Sequence, residues 1–200
     1  HRESRGLGDV YKRQVIDKLD YLQELGINAI ELMPINEFDG NDSWGYNPSF
    51  HMALDKEYGS PVKFKELVNE CHKRGIAVIV DVVYNHATGQ NSYFRMWNTS
   101  SDSYDGIPTP QNPFFQLSPV SESYLNYFND INHESSYVRD YMERINSFLI
   151  DEYHIDGFRF DLTKGMTNEV IAENYSTKRI NYLKGLSLIH ISEPTRLTMI

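Results

Sequence analysis

The stretch IAVIVDVV, at Ile76–Val83, decides the fold class of this chain. It is an apolar, mostly β-branched run interrupted only by Asp81, and such a run predicts a strand of a parallel sheet that is buried on both faces. The strand leads into Tyr84, Asn85 and His86, which form a polar exit at its carboxyl end. Ligands gather at that end of parallel strands. The stretch therefore predicts an α/β protein with a ligand site near this exit.

A second strand signal, at Gly157–Asp161, reads GFRFD. Side chains alternate across a strand, so Phe158 and Phe160 share one face while Arg159 and Asp161 share the other. Burying a carboxylate is costly, and a neighbouring guanidinium offsets that cost and keeps the carboxylate ionised. An ionised Asp at the end of a strand is a candidate nucleophile. On this stretch alone, a structural ion pair inside an α/β core is the alternative.

Helix and strand patterns alternate along the chain, which predicts parallel βαβ units. Residues 35–59 are expected to form a long, mostly polar loop. The sequence predicts three strands, whereas a closed barrel needs eight. The predicted strands lie at 27–34, 76–83 and 157–161, and the predicted helices begin near Val15, at Ser60 or Pro61, and at Ser135 or Ser136.

The strings DVVYNH, at 81–86, and GFRFDLTKG, at 157–165, together resemble two conserved motifs of the α-amylase family of glycoside hydrolases. The resemblance implies a partial TIM (β/α)8 barrel, about strands 2 to 4, with a small domain inserted after the third strand. We assign 15–86 and 135–185 to the barrel and 87–134 to the inserted domain. A plain loop is the alternative for the insert, although its length and aromatic content favour a domain.

Both ends of the chain are interpreted as translated sequencing-adaptor sequence. SRGLGDVYKRQ and LSLIHISEPTR can be translated from one DNA word and its reverse complement. We therefore treat 1–14 and 186–200 as adaptor-like artefacts and exclude them from the functional argument. The family places its general-acid glutamate after the next barrel strand, so we expect this piece to lack that acid and to be inactive alone.

The resemblance assigns catalytic roles to the second strand signal. Asp161 lies at the position of the family's nucleophile, which attacks the anomeric carbon in a retaining mechanism. Arg159 matches the arginine that positions this nucleophile. Asp81, at the start of the first motif, is expected to support the site structurally rather than to take part in the reaction.

Three further residues are expected to bind the sugar. His86 matches a histidine that hydrogen-bonds the sugar in the cleaved subsite, and Tyr46, in the string Trp44-Gly45-Tyr46, matches a tyrosine that stacks on the ring. Lys164 matches a lysine on the leaving-group side, but the histidine that often follows it is replaced by Gly165. Trp44 is expected to pack inside the protein, since aromatic residues are mostly core.

Calcium is the metal that the resemblance implies. Asn85 matches an asparagine ligand, and Asp130 resembles a ligand near the end of the inserted domain. Oxygen donors of this kind suit Ca²⁺, although a full shell needs about six to eight oxygens. The alternative is that the two residues join the barrel to the insert by hydrogen bonds alone.

The charge and hydropathy of the chain restrict the classes of molecule that it is expected to bind. The chain has 19 basic and 28 acidic residues, a formal net charge of −9, which argues against a nucleic-acid partner. No apolar run long enough to span a membrane is present in this piece. The expected partner is an α-glucan polysaccharide or oligosaccharide. The location is not fixed by the sequence, and a secreted or periplasmic one is favoured over a cytoplasmic one.

Three functional hypotheses follow from the resemblance. The first is an α-glucan hydrolase of the α-amylase type. The second is a transferase, branching or debranching enzyme on the same scaffold, with 1,4 or 1,6 specificity left open. The third is a non-catalytic binding member, against which the intact set of Asp161, Arg159 and His86 argues.

Overall fold

The protein is described here by a computed structural model that covers residues 12–100, 106–117 and 128–162. Helices and strands alternate along this part of the chain, as the sequence predicts. Their bounds in chain order are α1 (Leu19–Glu24), β1 (Ala29–Leu32), β2 (Asn36–Phe38), β3 (Pro48–Leu54), α2 (Pro61–Lys73), β4 (Ala77–Val83), β5 (His86–Ala87), α3 (Ser92–Met96), β6 (Asn129–Asp130), α4 (Ser136–Tyr153) and β7 (Gly157–Asp161).

The central sheet contains three parallel strands in the order β1-β4-β7. The middle strand, β4, is buried along its whole length. Its residues Val78, Val80 and Val82 belong to the hydrophobic core, and Phe158 and Phe160 of β7 pack against the same core. Arg159 and Asp161 therefore lie on the other face of the sheet, as the alternation of side chains predicts.

Helices α2 and α4 cover the apolar face of the sheet. Helix α2 begins where the Ser60 hydroxyl accepts a hydrogen bond from the Lys63 amide, with Pro61 in its first turn. Helix α4 ends at His154, whose backbone is left-handed with φ of 56°. Within the described ranges, no helix is long and apolar enough to cross a membrane.

The prediction of an irregular loop over 35–59 is wrong. This segment contains the antiparallel hairpin of β2 and β3 and a short 3-10 turn at Lys56–Tyr58. Strand β2 has only three residues and its pairing with β3 is irregular, so it shows no periodic pattern in the sequence. Asp55 fastens the hairpin, because its buried carboxylate accepts hydrogen bonds from the amides of Phe38 and Glu57.

The described part of the predicted insert is joined to the sheet by the antiparallel pair β5–β6, in which His86 faces Asp130. Aromatic contacts hold this part together. The rings of Tyr93 and Phe114 stack with centroids 3.9 Å apart, and Phe94 meets Phe115 edge to face at 5.5 Å. The domain boundaries at 87 and 134 remain a prediction.

Two buried histidines lie next to the carboxyl end of β4. His51, on β3, is 1% exposed, and its Nε2 donates a hydrogen bond to the Val83 carbonyl at 2.9 Å. His133 is 2% exposed. Burial lowers the pKa of each imidazole to about 4, because the charged form loses its hydration. Both rings are therefore neutral in the folded protein at pH 7.

We predict that acid destabilises this protein through these histidines. Below about pH 6.5 these two imidazoles are protonated in the unfolded chain, whereas in the folded protein they stay neutral down to about pH 4. The free energy of unfolding should therefore fall as the pH drops towards 4. Each ring can contribute roughly 3 kcal/mol at most. Urea unfolding between pH 7.5 and 4.5 measures this slope, which His51→Gln should reduce.

His154→Asn is the matched control, because it removes an exposed histidine and asparagine tolerates the left-handed backbone at that position. This variant removes one histidine and leaves the two buried rings in place, so the slope of His51→Gln is compared with it as well as with the parent. An equal slope for His51→Gln and the parent would contradict the prediction.

Candidate functional site

One guanidinium connects two carboxylates at the carboxyl end of the sheet. Arg159 Nη1 donates hydrogen bonds to Asp81 Oδ2 at 2.8 Å and to Asp161 Oδ1 at 2.5 Å. The strand register explains this arrangement, since Asp81 on β4 pairs directly with Arg159 on β7, and Val83 pairs with Asp161. The two motifs identified in the sequence therefore meet at one place.

The two carboxylates differ in their access to solvent. The side chain of Asp81 is 2% exposed, whereas that of Asp161 is 20% exposed. Burial raises the pKa of Asp81, against the opposing effect of hydrogen bonds from Tyr46 and Arg159. For Arg159, burial acts to lower the pKa, but the two aspartates outweigh it and the net shift is upward. Asp161 is thus the carboxylate that a ligand can reach.

Tyr46 extends this network from the hairpin loop between β2 and β3. Its hydroxyl donates a hydrogen bond to Asp81 Oδ2 at 2.7 Å. Burial, together with the hydrogen bond to Asp81, raises the pKa of Tyr46 to about 12, so the phenol stays protonated. The predicted sugar-stacking residue therefore lies within one hydrogen bond of the carboxylate–guanidinium pair.

His86 is held by the protein on both ring nitrogens. Its Nε2 donates a hydrogen bond to the Tyr46 carbonyl at 2.9 Å, and Asn85 Nδ2 donates one to its Nδ1 at 3.2 Å. This pattern fixes the tautomer with the proton on Nε2. Burial lowers the pKa of His86, which keeps the ring neutral. The structure thus places His86 beside Tyr46, and its contact with a sugar stays a prediction.

The loop that carries Tyr46 is held in place by hydrogen bonds and by a close backbone contact. The Ser43 hydroxyl accepts a hydrogen bond from the Gly45 amide at 3.0 Å, and the Tyr58 hydroxyl donates one to the Ser43 carbonyl at 3.0 Å. Gly45 has φ of 92°, and a Cβ at this position would lie 2.4 Å from the Pro34 carbonyl oxygen. Only glycine combines this backbone angle with so close an approach.

The prediction that Trp44 packs inside the protein is wrong. Its side chain is 74% exposed, the second largest value among the exposed large hydrophobic residues of the described chain. It follows the polar segment 39–43 and directly precedes Gly45, whose left-handed turn presses the loop against Pro34 and leaves Trp44 outside. The surrounding polar residues were the sequence signal that could have indicated exposure.

The predicted calcium ligands come close together through the β5–β6 pair. Asn85 and Asp130 are both buried, and the Asn85 carbonyl accepts a hydrogen bond from the Ile131 amide at 3.0 Å. Among the residues that the structure describes, no group of three His, Cys, Asp or Glu residues could hold a metal ion. Lys164 lies outside the described residues.

Comparisons with known proteins identify relatives over most of the chain. A family model described as "Alpha amylase, catalytic domain" matches residues 2–190. The malto-oligosyltrehalose trehalohydrolase of Saccharolobus solfataricus is 40% identical over 148 residues, which is 74% of this chain and 24% of that protein. The chloroplastic isoamylase 1 of rice (Oryza sativa subsp. japonica) is 35% identical over 174 residues, covering 76% of this chain and 21% of that protein.

A solved structure shows the same likeness in three dimensions. The crystal structure of an Anoxybacillus α-amylase superposes with a TM-score of 0.70 at 26% identity, covering 86% of this chain and 37% of that one. The chain thus spans about a quarter of the length of the curated relatives reported above.

The close approach at Gly45 leads to a prediction. Gly45→Ala should lower the free energy of unfolding by about 2–4 kcal/mol, because the methyl group adds a clash with Pro34 to the cost of a left-handed backbone. It should also displace Tyr46 from Asp81. Thermal unfolding measures the first effect and a change in near-ultraviolet circular dichroism the second.

Gly40→Ala is the matched control. Gly40 lies in the same loop with φ of 88°, but no atom lies within 4 Å of its added Cβ. It should therefore show only the backbone cost of about 1–2 kcal/mol. Equal losses for the two variants would show that contact with Pro34 has no energetic importance.

Proposed function

Because this chain belongs to the family of the α-amylase catalytic domain, we propose that it carries the nucleophile and part of the substrate groove of an α-glucan hydrolase. Membership also confirms the predicted fold class, since the family's domain is a (β/α)8 barrel and the described part of this chain holds three parallel strands. The observation that carries the proposal is Asp161, partly exposed at the end of β7 and oriented by Arg159.

The reaction proceeds in two displacements. An Asp161 oxygen forms a bond to the anomeric carbon while the bond from that carbon to the leaving oxygen breaks, and the leaving oxygen takes a proton from a separate acid. Water then attacks the glycosyl-enzyme ester, gives up its proton to the same acid, now acting as a base, and releases Asp161. The first step needs a carboxylate with an accessible oxygen, and Asp161 provides one.

Asp81 and Arg159 position Asp161 but take no part in the bond-making steps. Asp81 is unsuited to attack because its carboxylate is buried and one of its oxygens accepts hydrogen bonds from both Tyr46 and Arg159. Its negative charge instead holds the guanidinium in place. Arg159 in turn fixes one oxygen of Asp161 and leaves the rest of that carboxylate to face the sugar.

Tyr46 and His86 form the wall against which we propose the sugar lies. The hydrogen bond from the Tyr46 hydroxyl to Asp81 fixes the orientation of the ring. The face of the ring can then stack on the apolar face of a pyranose. His86 holds the Tyr46 backbone and borders the same space. Lys164 would contact the leaving-group side, as its position after the nucleophile strand suggests.

We also propose a structural calcium site at the junction of the sheet and the insert. Asn85 and Asp130 would each contribute an oxygen ligand, which is a chemistry that suits Ca²⁺. The hydrogen bond from Asn85 Nδ2 to His86 turns the amide nitrogen towards the ring, so the amide oxygen is the atom of Asn85 that would bind the cation. Such an ion would fasten β5 and β6 together and would take no part in bond cleavage.

The choice between hydrolysis and transfer, and between linkages, depends on substrate assays. The relatives named above include a trehalohydrolase and an isoamylase, so similar chains occur in enzymes of different specificity. Incubating the product of the completed gene with amylose, pullulan and glycogen, followed by separation of the products, distinguishes these possibilities. New branch points or longer chains would favour a transferase over a hydrolase.

The central prediction concerns Asp161. In the product of the completed gene, Asp161→Asn should lower kcat on α-glucans by several orders of magnitude, because an amide cannot form the ester intermediate. The reducing ends released from amylose measure this loss. Asp151→Asn, which changes an exposed carboxylate on the outer face of α4, should retain full activity. Near-normal turnover by Asp161→Asn would exclude its role as nucleophile.

A second prediction concerns stereochemistry. Two displacements at the anomeric carbon restore its configuration, so the first product released from an α-glucan should be the α-anomer. Proton NMR within the first minutes of reaction separates the two anomers. Initial release of the β-anomer would make Asp161 a general base that activates water.

A further inference from the structure

The hairpin loop between β2 and β3 exposes a large aromatic ring next to the proposed sugar wall. We propose that Trp44 forms an additional binding subsite, on which a glucose ring of an α-glucan chain stacks beside the sugar held at Tyr46. This inference rests on the proposed function. It assigns to Trp44 a contribution to the binding of long α-glucan chains, in addition to the contact at Tyr46.

The exposure of Trp44 is the first observation. Tryptophan has the largest apolar surface of any side chain, and leaving most of it in water forfeits the stabilisation that burial would give. Yet 74% of Trp44 is exposed, while Phe38 at the base of the same hairpin is 3% exposed. Because Trp44 is exposed and lies two residues from Tyr46, its ring is open to a sugar that binds beside Tyr46.

The rigidity of the loop is the second observation. Ser43 and Gly45, the neighbours of Trp44, are both held by hydrogen bonds, and Gly45 presses on Pro34. Asn47 Nδ2 also donates a hydrogen bond to the Asp39 carbonyl at 2.8 Å, which closes the loop at its base. The backbone on both sides of Trp44 is thus fixed, so a ligand that binds the ring would not have to order the loop.

The short separation of Trp44 and Tyr46 along the chain favours a glucan as the ligand. The two residues are separated by Gly45 alone, and their Cα atoms can be at most about 7 Å apart. This distance is comparable with the spacing of neighbouring sugars in a glucan chain. Pyranose rings have an apolar face that stacks on aromatic rings, so a chain whose one sugar lies on Tyr46 can place a nearby sugar on Trp44.

Chain-length dependence tests the proposal in the product of the completed gene. Trp44→Ala should lower the ratio of kcat/KM on amylose to kcat/KM on maltotriose by about tenfold, whereas Trp44→Phe should lower it less because it keeps an aromatic face. Val62→Ala is the control, since Val62 is equally exposed, at 76%, but lies on the first turn of α2. Its ratio should equal that of the parent.

Fluorescence of the 200-residue chain gives an independent measurement. The chain has two tryptophans, Trp44 and Trp97. In Trp97→Phe the emission comes from Trp44 alone, and maltoheptaose should shift or quench it. In Trp44→Phe the emission comes from Trp97, whose ring stacks on Phe114, and maltoheptaose should leave it unchanged.

The outcomes separate this inference from the proposed function. Normal hydrolysis with an unaltered ratio in Trp44→Ala and no response of Trp44 to maltoheptaose would overturn the subsite and leave the hydrolase intact. If the product of the completed gene had no action on any α-glucan, both proposals would be overturned. A Trp44 emission that responds to a purified protein partner but not to maltoheptaose would replace the glucan with a protein as the ligand.

Discussion

The hydrogen bonds of Arg159 are the interaction on which the rest of the site depends. One guanidinium nitrogen contacts a buried carboxylate, Asp81, and an accessible one, Asp161. Two carboxylates held this close would repel each other without the positive charge between them. Arg159 thus compensates the buried charge of Asp81 and also orients Asp161. The same side chain therefore contributes to the stability of the fold and to the proposed reactivity.

A second layer builds on this contact. Tyr46 reaches the buried Asp81 through its hydroxyl and His86 through its carbonyl, so the hairpin loop is attached to both β4 and β5. The loop can approach this closely because Gly45 has no side chain to separate it from Pro34. The shape of the proposed sugar wall is therefore set by backbone packing as much as by the aromatic ring itself.

Much of this arrangement could be predicted from the sequence, because it depends on patterns that are local in the chain. The apolar run at Ile76–Val83 and the alternation in GFRFD indicate which side chains share a face, and the register of β4 with β7 agrees. The hairpin at 36–54 could not be predicted, since β2 is short and its pairing depends on contacts distant in sequence. The exposure of Trp44 was missed for a different reason: the polar residues at 39–43 do indicate an exposed loop, but the general tendency of aromatic residues to be buried was given more weight.

The pairing of β4 with β7 has a consequence for assembly of the sheet. A slip of one residue would exchange the faces of β7 and bring Arg159 and Asp161 among the helices, while Phe158 and Phe160 would turn towards the site. Such a misaligned strand would bury two charged side chains away from Asp81 and would remove two phenylalanines from the core, and both changes are unfavourable. The residues proposed for chemistry therefore also disfavour this slipped register during folding, and so favour the register that assembles the site.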